Sequence, residues 1–346
     1  MTAQEWGTRG VSGRHAAEDR TDGAFAPDHS LALELVRVTE AAAIAAGRWV
    51  GHGDENSGKT AAVDAMHQVV MSVSMRGVVV IGEGAKRDAP FLFTGEDVGD
   101  GEGPFCDVGI SAGHGTLSKA GDVPHAIAAI AVAERGAMYD PSPVRSMEKL
   151  AVGPECVDVV DISRPVAENL RAVATAKDIR VSDVVVAVLN RPRHRELVHE
   201  IREAGARVHL IEGGDLAGAL AVARPESPVD LLMGTGGAAE GVIAAAGLSC
   251  LGGALQARLR PGDPEDGANS GDVGEVLHTE DLVRGESVLF CATGVTGSEL
   301  LRGVQNHAGR TTTQSIVMCS KPDTVRIVRS ERRQARWREH LGIDFE

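Results

Sequence analysis

An α/β fold built around a ligand cleft is what this sequence predicts, and three stretches predict it. The first is Gly77-Val78-Val79-Val80-Ile81, an apolar, β-branched run of strand length that passes at once into Gly82-Glu83-Gly84. The second is Asp107 to Thr116, a short strand feeding the glycine-rich Gly113-His114-Gly115-Thr116. Two strand ends that present polar side chains beside small residues suit a cleft floor, where backbone approaches a ligand closely; a pair of surface turns would read the same way. The third begins at Asp183, where strands alternate with helices. Successive βα units imply a parallel sheet, whose ligands sit off the carboxyl ends of its strands.

Residues 1–29 mix charges, Gly and Pro without the apolar segment of a secretory signal and read as a disordered tail. Ser30 is a good N-cap, and Leu31, Leu35, Val38, Ala42, Ala45 and Trp49 mark one face of a helix. Gly51 to Asn56 reads as a turn, and a second helix is expected from about Lys59, with Val63, Met66, Val69, Val70 and Val73 inward. The apolar stretch His125 to Arg135 fits a helix or a buried strand. In the βα region, Val184–Leu189, Val208–Ile211 and Val229–Met233 are strands, and His194–Ala204 and Leu216–Ala223 are helices. Pro261 to Gly274 is polar and glycine-rich, as an exposed loop is. Ser287–Gly294 gives a further strand, and Thr312–Arg329 a terminal pair of strands. The organisation expected is a tail (1–29), an N-terminal α+β domain (30–160), a C-terminal α/β domain (161–250), and strands with a helix that complete the fold (251–346).

With 346 residues the chain is long enough for two lobes sharing a cleft. Aromatics make up only 3%, so Ala, Val, Leu and Ile must build the core. A net charge of -14 argues against nucleic acid or an anionic membrane as partner, and requires any anionic substrate to find a local cationic pocket. The five cysteines (Cys106, Cys156, Cys250, Cys291, Cys319) are scattered without a CxxC pair, as expected of buried thiols in a reducing compartment. No apolar run is long enough to span a bilayer, and the cytoplasm is the expected location.

Two stretches carry anion-binding potential. Gly234-Thr235-Gly236-Gly237, between a strand and a helix, would offer backbone N–H groups and a helix dipole, although a plain tight turn has the same sequence character. Arg191-Pro192-Arg193-His194 follows a parallel strand, where two guanidiniums could clamp a phosphate; such basic turns are also common as solvated surface.

Gly82-Glu83-Gly84, Asp88-Ala89-Pro90, Gly95-Glu96-Asp97-Val98-Gly99 and Asp107 through Gly115-Thr116, in that order, resemble the class II fructose-1,6-bisphosphatases. These belong to the metal-dependent, lithium-sensitive sugar and inositol phosphatases, and the similarity extends from about Leu31 to about Arg329. It implies a layered αβαβα fold, a phosphorylated sugar as ligand, and commonly a homo-oligomer. By the same resemblance Glu83 and Glu240 stand at metal-binding positions. Arg191 and Arg193 stand where a Lys and an Arg contact the distal phosphate. Asp215 stands where an acid holds sugar hydroxyls, its usual acidic companion being Gly213 here. Gly236 and Gly237 belong to the matching glycine-rich stretch.

The departures have one physical direction. Three of five metal-binding carboxylates are absent: Lys59 replaces one, and Ser111 and His114 stand where the family turn carries acids. Gly84-Ala85-Lys86-Arg87 replaces an acidic run, Ser146 a usual Tyr, and His125 a usual Asn. Hard dications want several oxygen ligands, preferably anionic. The expectation is therefore no cofactor, with magnesium or manganese needed only where the family chemistry survives. Lys59, Glu83, His114, Thr116 and Glu240 then suit acid–base chemistry on a sugar phosphate (elimination, isomerisation or epimerisation), with a Lys59 Schiff base as one variant. Retained phosphatase activity and non-catalytic sugar-phosphate binding are the alternatives.

Overall fold

Small side chains let elements approach one another on more than one face, and the first helix shows it. In this computed structural model, which describes residues 27, 30–52, 55–87, 89–113, 125–142, 144–260 and 274–333, helix α1 (Ala32–Gly47) buries Leu35, Val38, Ala42 and Ala45 as expected, and also Val36, Thr39, Glu40 and Ala43. Its capping position is Leu31, with no side-chain cap, so the expected Ser30 cap lies one residue too early. Helix α2 (Glu55–Val70) starts before Lys59, which falls inside the helix rather than at its first residue. Met66 and Val70 are fully buried where α2 packs on α1.

The chain then forms β1 (Arg76–Ile81), β2 (Asp97–Val98), β3 (Phe105–Ala112) and β4 (Ile127–Glu134). The ambiguous His125–Arg135 stretch is thus a strand. Its period was hidden because both faces are covered: Ala129, Ala131 and Ala133 enter one core while Ala128, Ile130 and Val132 enter another. Next come β5 (Ser146–Val152), α3 (Val166–Ala176), β6 (Val185–Leu189), α4 (Arg195–Glu203), β7 (Arg207–Ile211), α5 (Asp215–Ala221), β8 (Leu231–Gly237) and α6 (Ala238–Ser249). The remainder is β9 (Ala254–Arg260), β10 (Val276–Leu277), α7 (Thr279–Leu282), β11 (Leu289–Gly294), β12 (Gln305–His307), β13 (Arg310–Cys319) and β14 (Thr324–Arg333). The terminal strand pair is as expected, and all of the expected Pro261–Gly274 loop except Gly274 lies outside the described residues.

Two mixed sheets result. The first runs β12-β13-β11-β4-β3-β1-β2, with β14 on the other side of β13; the second runs β10-β9-β5-β8-β6-β7. β7, β6 and β8 are parallel, as the βα repeat requires, but β5 and β9 continue that sheet antiparallel. Three apolar cores separate the layers: α1 and α2 against the first sheet, α5 and α6 between the sheets, and α3 and α4 outside the second. That is the αβαβα order.

The middle layer is thin because α6 carries glycine at its tightest contacts. A Cβ on Gly247 would lie 2.4 Å from a Leu220 methyl and 3.2 Å from the Phe290 ring. The five cysteines are free and buried, and burial pushes the Cys106 and Cys250 thiols up to about 12. Among the described residues no helix is long and apolar enough to cross a membrane.

Phe290 is fully buried in a core whose other members are mostly Ala, Val, Leu and Ile. Phe290→Ala should therefore lower the unfolding free energy by about 3–5 kcal/mol, read from urea unfolding curves.

Candidate functional site

The Gly234–Gly237 stretch is strand, not turn. β8 runs through Gly237, and its last four residues pair with β5, Gly237 opposite Ser146 and Gly234 opposite Lys149. A partner strand distant in sequence thus takes backbone that local reading assigned to a ligand. Thr235 N–H donates to His194 Nε2 at 2.8 Å, and Ala238 N–H donates to Arg145 O at 2.9 Å. Glu240 lies in the first turn of α6, where the helix dipole favours an anion. Its carboxylate sits over Gly237, where a Cβ would come within 1.8 Å of Oε2.

Asp215, expected to hold a sugar, is buried and pairs with the equally buried Lys149 (Nζ–Oδ2 2.8 Å). Gly236 makes room for this pair, since a Cβ there would lie 2.0 Å from the Asp215 carboxylate. Arg191 and Arg193 stand at the carboxyl end of β6, as predicted. Arg191 donates to Glu212 O (3.0 Å) and Gly213 O (3.1 Å), and Arg193 donates twice to Thr235 O (3.1 and 2.7 Å). Both guanidiniums therefore tie the ends of neighbouring strands, and each has more N–H groups than those carbonyls occupy. His194 is locked between them: its Nδ1 lies 2.8 Å from Leu189 O, so Nδ1 carries the proton and Nε2 accepts from Thr235. Burial holds its pKa below the ordinary value.

Lys59 and Glu83 meet from different segments. The ammonium of Lys59, on α2, is 3.1 Å from Glu83 Oε2, and Ala112 N–H at the end of β3 donates to Glu83 Oε1 at 2.8 Å. The Glu83 side chain is buried while that of Lys59 is half exposed. His114 and Thr116 lie outside the described residues. The Lys59–Glu83 pair and the β8 cluster are linked by α6. Its Ile243 faces Gly109 of β3, itself opposite Ile81, and Glu240 is one turn nearer the helix N-terminus on the same face.

A further cluster escaped the sequence reading. His125 enters β4 with φ 75, a left-handed conformation uncommon for a side chain of its size. Its Nε2 is 2.8 Å from Glu299 Oε2, and His209 Nε2 on β7 is 2.8 Å from Glu299 Oε1. The His125 imidazole holds the Glu299 carboxyl down at about 2, with the His209 charge adding to it. The only sequence signal was His125 in place of the family's Asn. Lys149 was missed too, because a lysine is expected in solvent.

Five layers, two mixed sheets and acidic and basic side chains gathered at the strand ends define an α/β protein of the sugar-phosphatase type. The bacterial, glpX-encoded fructose-1,6-bisphosphatase family matches residues 29–332, and the chain belongs to that family. It is 37% identical over 317 residues to fructose-1,6-bisphosphatase 1 class 2 of Escherichia coli, covering 87% of this chain and 94% of that protein. The class 2 fructose-1,6-bisphosphatase of Shigella flexneri is similar to the same extent, 37% identical over 317 residues with 87% and 94% covered.

Two outcomes follow from the β8 cluster. Asp215→Asn leaves the buried Lys149 ammonium without its counter-charge and should cost about 3–5 kcal/mol in denaturant unfolding, whereas Lys149→Met with Asp215→Leu should recover much of that. For His194, with its folded pKa depressed, the unfolded chain binds the extra proton first. Stability should therefore fall as pH drops below the ordinary value near 6.5, and His194→Gln should flatten that part of the unfolding profile.

Proposed function

We propose that this chain binds a phosphorylated sugar and acts on it by metal-independent acid–base chemistry, in place of hydrolysis. The observation that carries this reading is the Lys59–Glu83 pair. Glu83 is the carboxylate the family would offer to a cation, and its oxygens face an ammonium at 3.1 Å and a backbone N–H at 2.8 Å. A hard dication needs several anionic oxygens and no cation beside them. With Lys59, Ser111 and His114 at three of the five family positions, this donor set does not fit a two-ion site.

What the pair can do is move protons. Ala112 N–H orients the Glu83 carboxylate, which would take a proton from a carbon beside the sugar carbonyl. Lys59, half exposed, would stabilise the oxyanion that develops and return a proton, a contribution of about 10²–10⁴-fold. Arg191 and Arg193 would hold the distal phosphate with their remaining N–H groups, and Asp215, Gly236, Gly237 and Glu240 would line the sugar side. His114 and Thr116, which follow in the sequence, belong to the same proposal. We place the protein in a reducing cytoplasm, to which its buried free thiols are suited, as a homo-oligomer like members of its family.

Hydrolysis is the second reading. The 37% identity across 94% of the Escherichia coli fructose-1,6-bisphosphatase favours it.

One experiment separates the readings. With chelator present, the protein should bind fructose 6-phosphate in calorimetry and exchange a carbon-bound proton of it with deuterated water, followed by NMR. Lys59→Ala should cut that exchange about 100-fold or more while binding persists. Phosphate release from fructose 1,6-bisphosphate that requires magnesium or manganese and stops with chelator would establish hydrolysis instead. Binding without any exchange would leave a non-catalytic sugar-phosphate receptor.

A further inference from the structure

We propose that His125, His209 and Glu299 form a site for a divalent transition ion of the zinc type, separate from the Lys59–Glu83 pair and independent of the sugar-phosphate reading. The ligand atoms come from three places that the fold alone brings together. His125 precedes β4 and Glu299 follows β11, both in the first sheet, whereas His209 lies on β7, the edge strand of the second. One donor atom from each lies within 4.8 Å of the other two.

The two imidazole–carboxylate ion pairs leave the ring nitrogens short of directional hydrogen bonds. Both Nε2 atoms come within 2.8 Å of separate Glu299 oxygens, yet neither contact has the directionality of a hydrogen bond. His125 is buried, and among the described residues neither of its ring nitrogens has a hydrogen-bond partner. A buried polar atom left so is costly, and a metal ion satisfies nitrogen lone pairs that converge on one point. The left-handed backbone at His125 points the same way: its N–H donates to Gly297 O at 2.9 Å, which fixes the ring beside the turn that carries Glu299.

Two imidazoles and one carboxylate are a zinc donor set that leaves a fourth position for water or substrate, and imidazole selects against magnesium. Tetrahedral ligands about 2.0–2.1 Å from the ion sit roughly 3.3 Å apart, so closure on the ion asks Glu299 to draw back by about half an ångström. A half-ångström withdrawal of the carboxylate needs only small rotations within the Glu299 side chain.

The test uses the full chain, stripped with chelator and titrated with zinc chloride by calorimetry. Zinc should bind at about one equivalent per chain, magnesium should not compete, and zinc-edge X-ray absorption should show imidazole scattering. His209→Ala and His125→Asn should each weaken zinc at least about 100-fold. Asn tolerates left-handed backbone well, so His125→Asn removes the ligand without disturbing the entry to β4. Circular dichroism should match the parent for both variants. Failure of the parent protein to bind zinc, or binding that survives both substitutions unchanged, overturns the proposal.

Discussion

An ammonium inside a protein has to be met by an opposite charge, and Lys149 imposes that condition on the second sheet. Its side chain is almost wholly buried on β5, and Asp215 at the start of α5 supplies the counter-charge at 2.8 Å. The strand position facing the pair must then lack a side chain. Gly236 on β8 admits the carboxylate, and Gly241 on α6 leaves room first for the Met147 sulfur, 2.3 Å from a Cβ there, and then for the Lys149 chain at 3.1 Å. Charge burial thus explains Gly236, while Gly234 makes room for the His194 ring and Gly237 for the Glu240 carboxylate. With β8 so placed, Thr235 meets both His194 and Arg193, and the ends of β6 and β8 are locked together.

This accounts for what the sequence could and could not disclose. The strands expected at Val184–Leu189, Val208–Ile211 and Val229–Met233 were legible, within a residue or two at their starts, because apolar runs alternate with helices over short distances. The Gly234–Gly237 stretch was not, because its strand character comes from β5, far away along the chain. Glycine there signals a turn by local rules and a crowded strand by tertiary ones. β4 was ambiguous for a related reason: burial on both faces erases the alternation that marks a strand.

For the candidate site, single residues were legible and their partnerships were not. Charge and resemblance singled out Lys59 and Glu83, but their 3.1 Å pairing needed α2 to run through Lys59 rather than start there. Asp215 was singled out as a sugar ligand without its buried lysine. His125, His209 and Glu299 come from three distant segments, and no spacing rule could have joined them.

Much of what preserves the fold rests on small apolar residues rather than on the polar groups at the strand ends. Alanine and glycine keep the helix layer between the sheets thin, so that strand ends from both sheets lie close enough to share ligands. That constraint is independent of which polar groups occupy those ends. A chain can therefore keep its family's architecture over nearly its whole length whatever side chains stand at its strand ends. Similarity of fold constrains where chemistry happens here and leaves its kind to the side chains. Lys59 against Glu83, and two imidazoles against Glu299, are the places where oppositely charged groups from separate segments of this chain meet.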